Sequence, residues 1–355
     1  MVWPSSGLAL AALILGKERY WPSIFIGALA GNVMQGSPIG LSMVIAFGNS
    51  LEALSCFWIL SHIKRFKPAL QHPHDFLLLS ATGALGSVVS ATIGVSALVL
   101  SGVVTKSVAW HNFLNWWQGD VLGILLVTPL ILIWCQVPHD WIKRKRITKA
   151  TICFGLAFLA GQVVFLGWFQ GFLGITARGY WIFLFVAWAA VRFGRHGVLL
   201  VLIMTAIQTL LGMVLAAGGA INNQAPVGLL NFWLYMLVLT IVGILIALVI
   251  DKVKSTESLL LQKNTLFSKV SQRVPGVIYQ FKLYPDGRSC FPFASEAMQD
   301  MLGTSQQQAQ EDATTAFSTI HYEDYDYVID SIQESARTLL LWQCEFRVVL
   351  PEHGV

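Results

Sequence analysis

Basic residues occupy every second gap between the apolar stretches of this chain, and no other feature constrains its fold as much. Nine apolar stretches fall at about 5–16, 21–35, 39–62, 76–102, 111–135, 150–171, 179–191, 197–218 and 226–250. Sixteen Lys and Arg residues precede position 255, and 14 lie in alternate gaps. These are Lys17 and Arg19; Lys64, Arg65 and Lys67; Lys143, Arg144, Lys145, Arg146 and Lys149; Arg192 and Arg195; and Lys252 and Lys254. Only Lys106 and Arg178 fall in the other set. Membrane insertion retains positive charge on the cytoplasmic side. The split therefore predicts a multi-pass membrane protein with its C-terminal segment in the cytoplasm.

The composition agrees: 55% of residues are hydrophobic and 12% charged, against roughly 25% charged in soluble domains. Residues 1–254 hold 16 basic and 6 acidic side chains, whereas 255–355 hold 7 and 13. The isoelectric point of about 8.8 thus reports anchoring at an anionic inner leaflet. No basic stripe with interleaved aromatics is present, so the expected partner is the lipid bilayer and not nucleic acid. The five cysteines show no C-x-x-C or C-x-x-H spacing, so neither a disulfide framework nor a zinc site follows, and no cofactor is expected.

A helix needs about 20 residues to cross the hydrocarbon core, and the first, second and seventh stretches are shorter. The seventh must span, because omitting it puts the Arg192/Arg195 gap on the wrong side. The first two can be half-helices without changing the polarity downstream. Trp3, Trp21, Trp110, Trp141 and Trp181 flank stretches, as an interfacial aromatic belt would. Gly86, Ser90 and Gly94 recur four apart, with Gly83, Ser87 and Ala91 beside them; Gly27/Gly31 and Gly167/Gly171 repeat the spacing. Such faces let helix backbones approach closely in lipid, so a compact all-α bundle of about eight or nine transmembrane segments is predicted for residues 1–254.

Residues 255–273 read as a cytoplasmic linker helix, with Val253, Leu260, Phe267 and Val274 seven apart; homodimerisation through this helix is the expectation. Because the opposing positions are Thr256, Lys263 and Val270, a solvated linker helix is the competing reading. From 274 the pattern is α+β. Residues 276–283 alternate, Pro285-Asp286-Gly287 signals a turn, and 289–293 reads as the returning strand. Helices follow over 295–302, with Ser295 as N-cap, and over 322–337; residues 342–350 read as a further strand.

Residues 1–254 resemble the first MASE family of bacterial membrane-associated sensor domains. The matching words are Trp3-Pro4-Ser5-Ser6-Gly7-Leu8-Ala9, Gly48-Asn49-Ser50-Leu51-Glu52-Ala53, Ser90-Ala91-Thr92-Ile93-Gly94 and Trp116-Trp117-Gln118-Gly119-Asp120-Val121-Leu122-Gly123, with Pro129. In that family another helix usually precedes the Trp-Pro word, so an N-terminally clipped sequence is expected. Residues 274–355 are similar to the first two-thirds of a PAS domain. The carrying residues are Val274-Pro275-Gly276-Val277-Ile278-Tyr279-Gln280, Tyr284-Pro285-Asp286-Gly287, Ser295-Glu296, Ile320-His321-Tyr322-Glu323-Asp324 and Trp342 to Val348. The chain stops before the strands that join the third strand of a PAS sheet to the first, so an incomplete domain, poorly folded alone, is expected. The resemblance implies an output module absent from this sequence: a diguanylate cyclase, a cyclic-di-GMP phosphodiesterase or a histidine kinase. Association favours a cyclic-di-GMP-metabolising parent, and the chain itself is expected to be catalytically silent.

Glu52 and Asp120 fall within apolar stretches, where an ionisable group is costly unless paired or wet. Their candidate partners are each other through a shared proton, Asn32, Asn49, Asn115, Gln118 or His111. Asp120 sits near the start of its stretch, where water can reach it. Glu52, Asp120, Asn49, Asn32 and Trp117 are the candidate ligand-sensing residues, for a small-molecule or protein stimulus that the sequence does not identify. A cluster that only clamps the bundle is the competing reading of the same residues. His62, His72 and His74 are interfacial histidines before they are metal ligands. Tyr279, Phe281, Phe291, Phe293 and Trp342 are expected in the core of the C-terminal part. A transporter or channel would show internal repeats, and none is found; a passive anchor for an output enzyme is the third reading.

Overall fold

The computed structural model describes residues 2–136, 144–168, 179–217, 225–271, 274 and 276–349. It divides into two compact units, Met1–Lys254 and Ser255–Val355.

The first unit is helical. Its elements are α1 (Pro4–Gly16), α2 (Trp21–Met34), α3 (Ile39–His62), α4 (Pro73–Leu100), α5 (Ala109–Trp134), α6 (Arg144–Phe165) and α7 (Trp181–Ala217). An eighth, α8 (Ala225–Ser271), enters the second unit. Prolines open α1, α2 and α4 in the first turn, where the missing N–H has no intrahelical partner to lose. Six of the described helices are long and apolar enough to cross a membrane. With 13 and 14 residues, α1 and α2 fall short, as their sequence length predicted.

The seventh and eighth apolar stretches both lie in α7, which breaks at Gly194 (φ 63°, ψ −154°). A straight helix would separate Val186 from Val198 by about 18 Å. Instead their Cγ1 atoms lie 2.7 and 3.2 Å from where a Cβ on Gly243 would stand. The two arms therefore fold back on each other at Gly194. The sixth stretch ends sooner than predicted, its helix stopping at Phe165 ahead of a positive φ at Gly167; Gly171 lies outside the described residues, as does Trp141.

The folding-back gathers the basic gaps at one end of the bundle. Arg195 Nη1 donates to the carbonyls of Ala69 and Leu70, 2.9 Å from each, beside the Lys64–Lys67 gap. His196 Nε2 lies 3.2 Å from the Ile133 carbonyl and 3.3 Å from that of Gln136, where α5 ends ahead of the next basic gap. Lys254 Nζ donates to the Val191 carbonyl, and a Cβ on Gly194 would stand 2.7 Å from Asp251 Oδ1. Glu18 shares a wall with Trp58 and His62 at the end of α3. The alternation of charge along the sequence is thus an alternation of ends in space.

The second unit opens with the continuation of α8, which carries the ninth apolar stretch on into the linker as far as Ser271. β1 (Tyr279–Leu283) and β2 (Ser289–Ala294) form an antiparallel hairpin with an irregularity between Gln280 and Lys282. Gly287 supplies the positive φ of its turn, and Arg288 N donates to Asp286 Oδ1. Then come α9 (Ala297–Leu302), α10 (Gln306–Glu311), α11 (Thr314–Phe317) and α12 (Tyr322–Thr338). The short α10 and α11 had no periodic signal. Ser295 is not the cap of α9; that position is Glu296, and Ser295 Oγ accepts from Ile278 N across the hairpin. Phe291, Ala294, Met298, Ala309, Ala313 and Ala316 form the core, with Phe281 and Phe317 against it.

Residues 342–349 alternate half-buried and exposed as a strand would. Among the described residues they form an isolated antiparallel bridge, Ile320–Val348, flanked by His321 N donating to the Arg347 carbonyl and Val349 N to that of Thr319, rather than a full strand. Phe281 and Phe291 pack as expected, their rings 5.3 Å apart. Tyr279 packs edge-on against Phe291, 5.2 Å away, and Tyr279, Phe281, Phe291 and Trp342 all line an apolar cavity of about 350 Å3.

Candidate functional site

Four helices bring their only deeply buried hydroxyl-to-carboxylate contacts, among the described residues, to one place. Glu52 on α3 and Asp120 on α5 are each 1% exposed. Ser6 Oγ, on α1, donates to Asp120 Oδ1 at 2.8 Å and lies 3.4 Å from Glu52 Oε2. On α4, Ser87 Oγ donates to Glu52 Oε1 at 2.7 Å and Ser90 Oγ to Asp120 Oδ2 at 2.5 Å. Among the described residues no Lys, Arg or His forms an ion pair with either acid.

Close backbone approach makes this convergence possible. The α1–α5 contact is the tightest: a Cβ on Gly123 would stand 1.9 Å from the Trp3 carbonyl oxygen, and one on Gly7 2.2 Å from that of Gly123. Trp3 N donates to the Gly119 carbonyl at 2.9 Å, joining the start of α1 to α5 directly. On α4, Gly83 faces Ile124, Gly86 faces Cys56 and Gly94 faces the Trp116 ring, all closer than a Cβ would allow. Small residues on this stripe do what their spacing predicted. Gly27 and Gly31 do not: nothing stands within 4 Å of a Cβ on either.

The structure unites Glu52 with Asp120 and separates them from most of the partners expected for them. Asn32 Nδ2 donates to its own helix at Ala28, 2.8 Å away. Asn49 Oδ1 is buried without a hydrogen-bond partner. Trp117 Nε1 donates to the Ala84 carbonyl at 2.8 Å, clamping α5 to α4, and its ring lies tilted against Trp233, centroids 5.6 Å apart. The Gln118 carbonyl accepts from Trp233 Nε1, and His111 is exposed. Asp120 is 1% exposed and is bonded within the cluster by Ser6 and Ser90. The residues the sequence reading missed are the serines. Ser87 and Ser90, three apart on α4, were counted as small packing residues, although the same spacing aims both hydroxyls at one neighbour.

Proton counting defines what the cluster does chemically. A serine hydroxyl has a single hydrogen, so Ser6 can donate to only one of the two carboxyl groups it touches. If both contacts are hydrogen bonds, the other carboxyl must carry a proton and donate to Ser6. The arrangement can gain or lose one proton, or one cation, only by reorganising bonds among α1, α3, α4 and α5. Among the described residues no group of three His, Cys, Asp or Glu is placed to hold a metal ion. His74 pairs with Asp75 at 3.1 Å and His62 bonds the Trp58 carbonyl at 2.8 Å.

A polytopic helical membrane domain with a buried acidic cluster is the class that fold and site define. Its family is MASE1, whose family model matches residues 1–252; the chain belongs to this family of membrane-associated sensor domains. No curated protein and no solved structure matches the chain. The domain is thus a sensory input module and not a catalytic one.

Proposed function

We propose that this chain is the input portion of a bacterial inner-membrane receptor, with residues after Lys254 in the cytoplasm, and that the Ser6–Glu52–Ser87–Ser90–Asp120 cluster is its responsive element. The observation that carries this reading is the burial of two acids on a four-helix junction without a basic partner among the described residues. A ligand or proton with different affinity for two arrangements of the junction shifts their populations. The continuous α8, which leaves the apolar segment without a break, supports transmission toward the C-terminus. Val253, Leu260 and Phe267 are more than half exposed along it, which supports dimerisation through this helix. The hairpin and following helices support the PAS reading of the second unit; a cyclic-di-GMP-metabolising parent is favoured by association alone, with a histidine kinase the alternative.

The test is made in the receptor that contains this chain. Glu52→Gln and Asp120→Asn are expected to move its basal or stimulated output while leaving membrane levels unchanged. A passive anchor would tolerate both substitutions, and that result ends the sensory reading. A Leu260→Cys variant is expected to cross-link between copies in membranes.

A further inference from the structure

A cavity of about 650 Å3 lies between α1, α2 and α3. Trp3, Tyr20 and Ile24 supply apolar wall, Asn32 and Asn49 polar wall, and Gly27 and Gly31 leave it open on the α2 side. Ser6 lines the same cavity. Neither acid lines the cavity, but the Ser6 side chain, which does, contacts both of them.

The cluster behind Ser6 is short of donors. Even with one carboxyl protonated, the two acids present more acceptor sites than the donors around them, and Asn49 Oδ1 adds an acceptor that is buried and unpartnered. Against these stand the hydroxyls of Ser6, Ser87 and Ser90 and the Trp116 indole N–H. The negative charge has no basic counterpart within an ion pair among the described residues. A buried anion without a counter-charge is costly in an apolar bundle, and a cavity beside it is where a cation would be admitted.

We propose that this cavity binds a small amphipathic molecule carrying a primary ammonium group. The ammonium has three N–H donors and no acceptor, matching Glu52, Asp120 and Asn49; it takes over the acceptors released when the Ser6 hydroxyl turns away. The apolar body lies between α1 and α2, beside Trp3 and Tyr20. Binding draws α1, through Ser6, away from its bonds to α3 and α5. The proposal deepens the sensory reading by naming the ligand class of that site.

The test uses the whole purified chain in lipid nanodiscs, titrated with phenethylammonium and, separately, with its neutral analogue 2-phenylethanol, by calorimetry and tryptophan fluorescence. Saturable binding of phenethylammonium is expected, at least about tenfold tighter than the alcohol. Glu52→Gln with Asp120→Asn should weaken it by about tenfold or more. Gly27→Trp, which fills open space on α2 and leaves the acids untouched, should block both probes. Equal affinity for the alcohol, no saturable binding, or indifference to the variants overturns the proposal. If no binding is seen yet Glu52→Gln still disturbs signalling, the ligand class fails and the sensory role stands.

Discussion

Glu52 and Asp120, on different helices, meet at a single hydroxyl: Ser6 Oγ is 3.4 Å from one carboxylate and 2.8 Å from the other. Ser6→Ala removes that link and leaves acceptors unsatisfied. A side-chain hydrogen bond in a membrane bundle contributes about 1 kcal/mol. Ser6→Ala is expected to destabilise the bundle by about that amount or more, read by thermal unfolding in detergent. Its neighbour Ser5 is exposed, so Ser5→Ala should change little. Equal effects of the two would remove the shared hydroxyl from the account.

Glycine substitution should separate packing contacts from open surface. A Cβ at Gly123 collides with the Trp3 carbonyl, which is backbone and cannot step aside, whereas a Cβ at Gly27 meets nothing within 4 Å. Gly123→Ala is expected to cost about 1–3 kcal/mol, as overpacking does, and Gly27→Ala to be nearly neutral. The readout is the unfolding midpoint of each variant against the parent chain.

At Gly194 the backbone itself is the constraint. Its φ of 63° with ψ of −154° lies where side-chain-bearing residues pay about 1–3 kcal/mol, and a Cβ there would also press on Asp251 Oδ1 at 2.7 Å. Gly194→Ala should therefore loosen the fold-back of α7. Cysteines at Val186 and Val198 offer the check: both sit against Gly243, and their cross-linking should fall when Gly194 is replaced.

Much of this was legible in the sequence because it follows from charge and spacing. The alternate basic gaps anticipated one charged end, and Arg195 bonding Ala69 and Leu70 is that end seen atom by atom. Glu52 and Asp120 stood out because an acid in an apolar run is costly. The partners did not stand out, because Ser87 and Ser90 look the same as packing residues until the facing helix is known. The Gly27/Gly31 pair looked identical to the α4 stripe, and only tertiary context shows that, among the described residues, nothing stands within 4 Å of a Cβ there. In the second unit, Trp342 to Val348 has a strand's alternation without a strand's ladder: alternation fixes which side chains are covered, whereas a ladder needs a neighbouring strand to share its hydrogen bonds.

The second unit should be sensitive to acid through one exposed ion network. Arg347 donates to Asp324 Oδ1 at 2.7 Å and to Glu323 Oε2 at 2.8 Å, while its own backbone N–H donates to Asp324 Oδ2. The side-chain hydrogen bond from Arg347 holds the Asp324 carboxyl well below the usual aspartate range, and the same guanidinium lowers Glu323 less strongly. A carboxyl depressed in the folded state stabilises it fully above the unfolded value, about 3.9 for Asp, and progressively less as pH falls below that toward the folded value. The network ties residue 347 to the start of α12, so its loss should free the 342–349 segment. Trp342, whose Nε1 donates to Ser331 Oγ at 2.9 Å, lies in that segment. In the whole chain, a Trp342-specific fluorescence signal, taken as the difference from Trp342→Phe, should change as pH drops through the acid range. Arg347→Ala should give the low-pH signal already at neutral pH and abolish the transition; a transition unchanged in Arg347→Ala would assign the acid sensitivity to other groups.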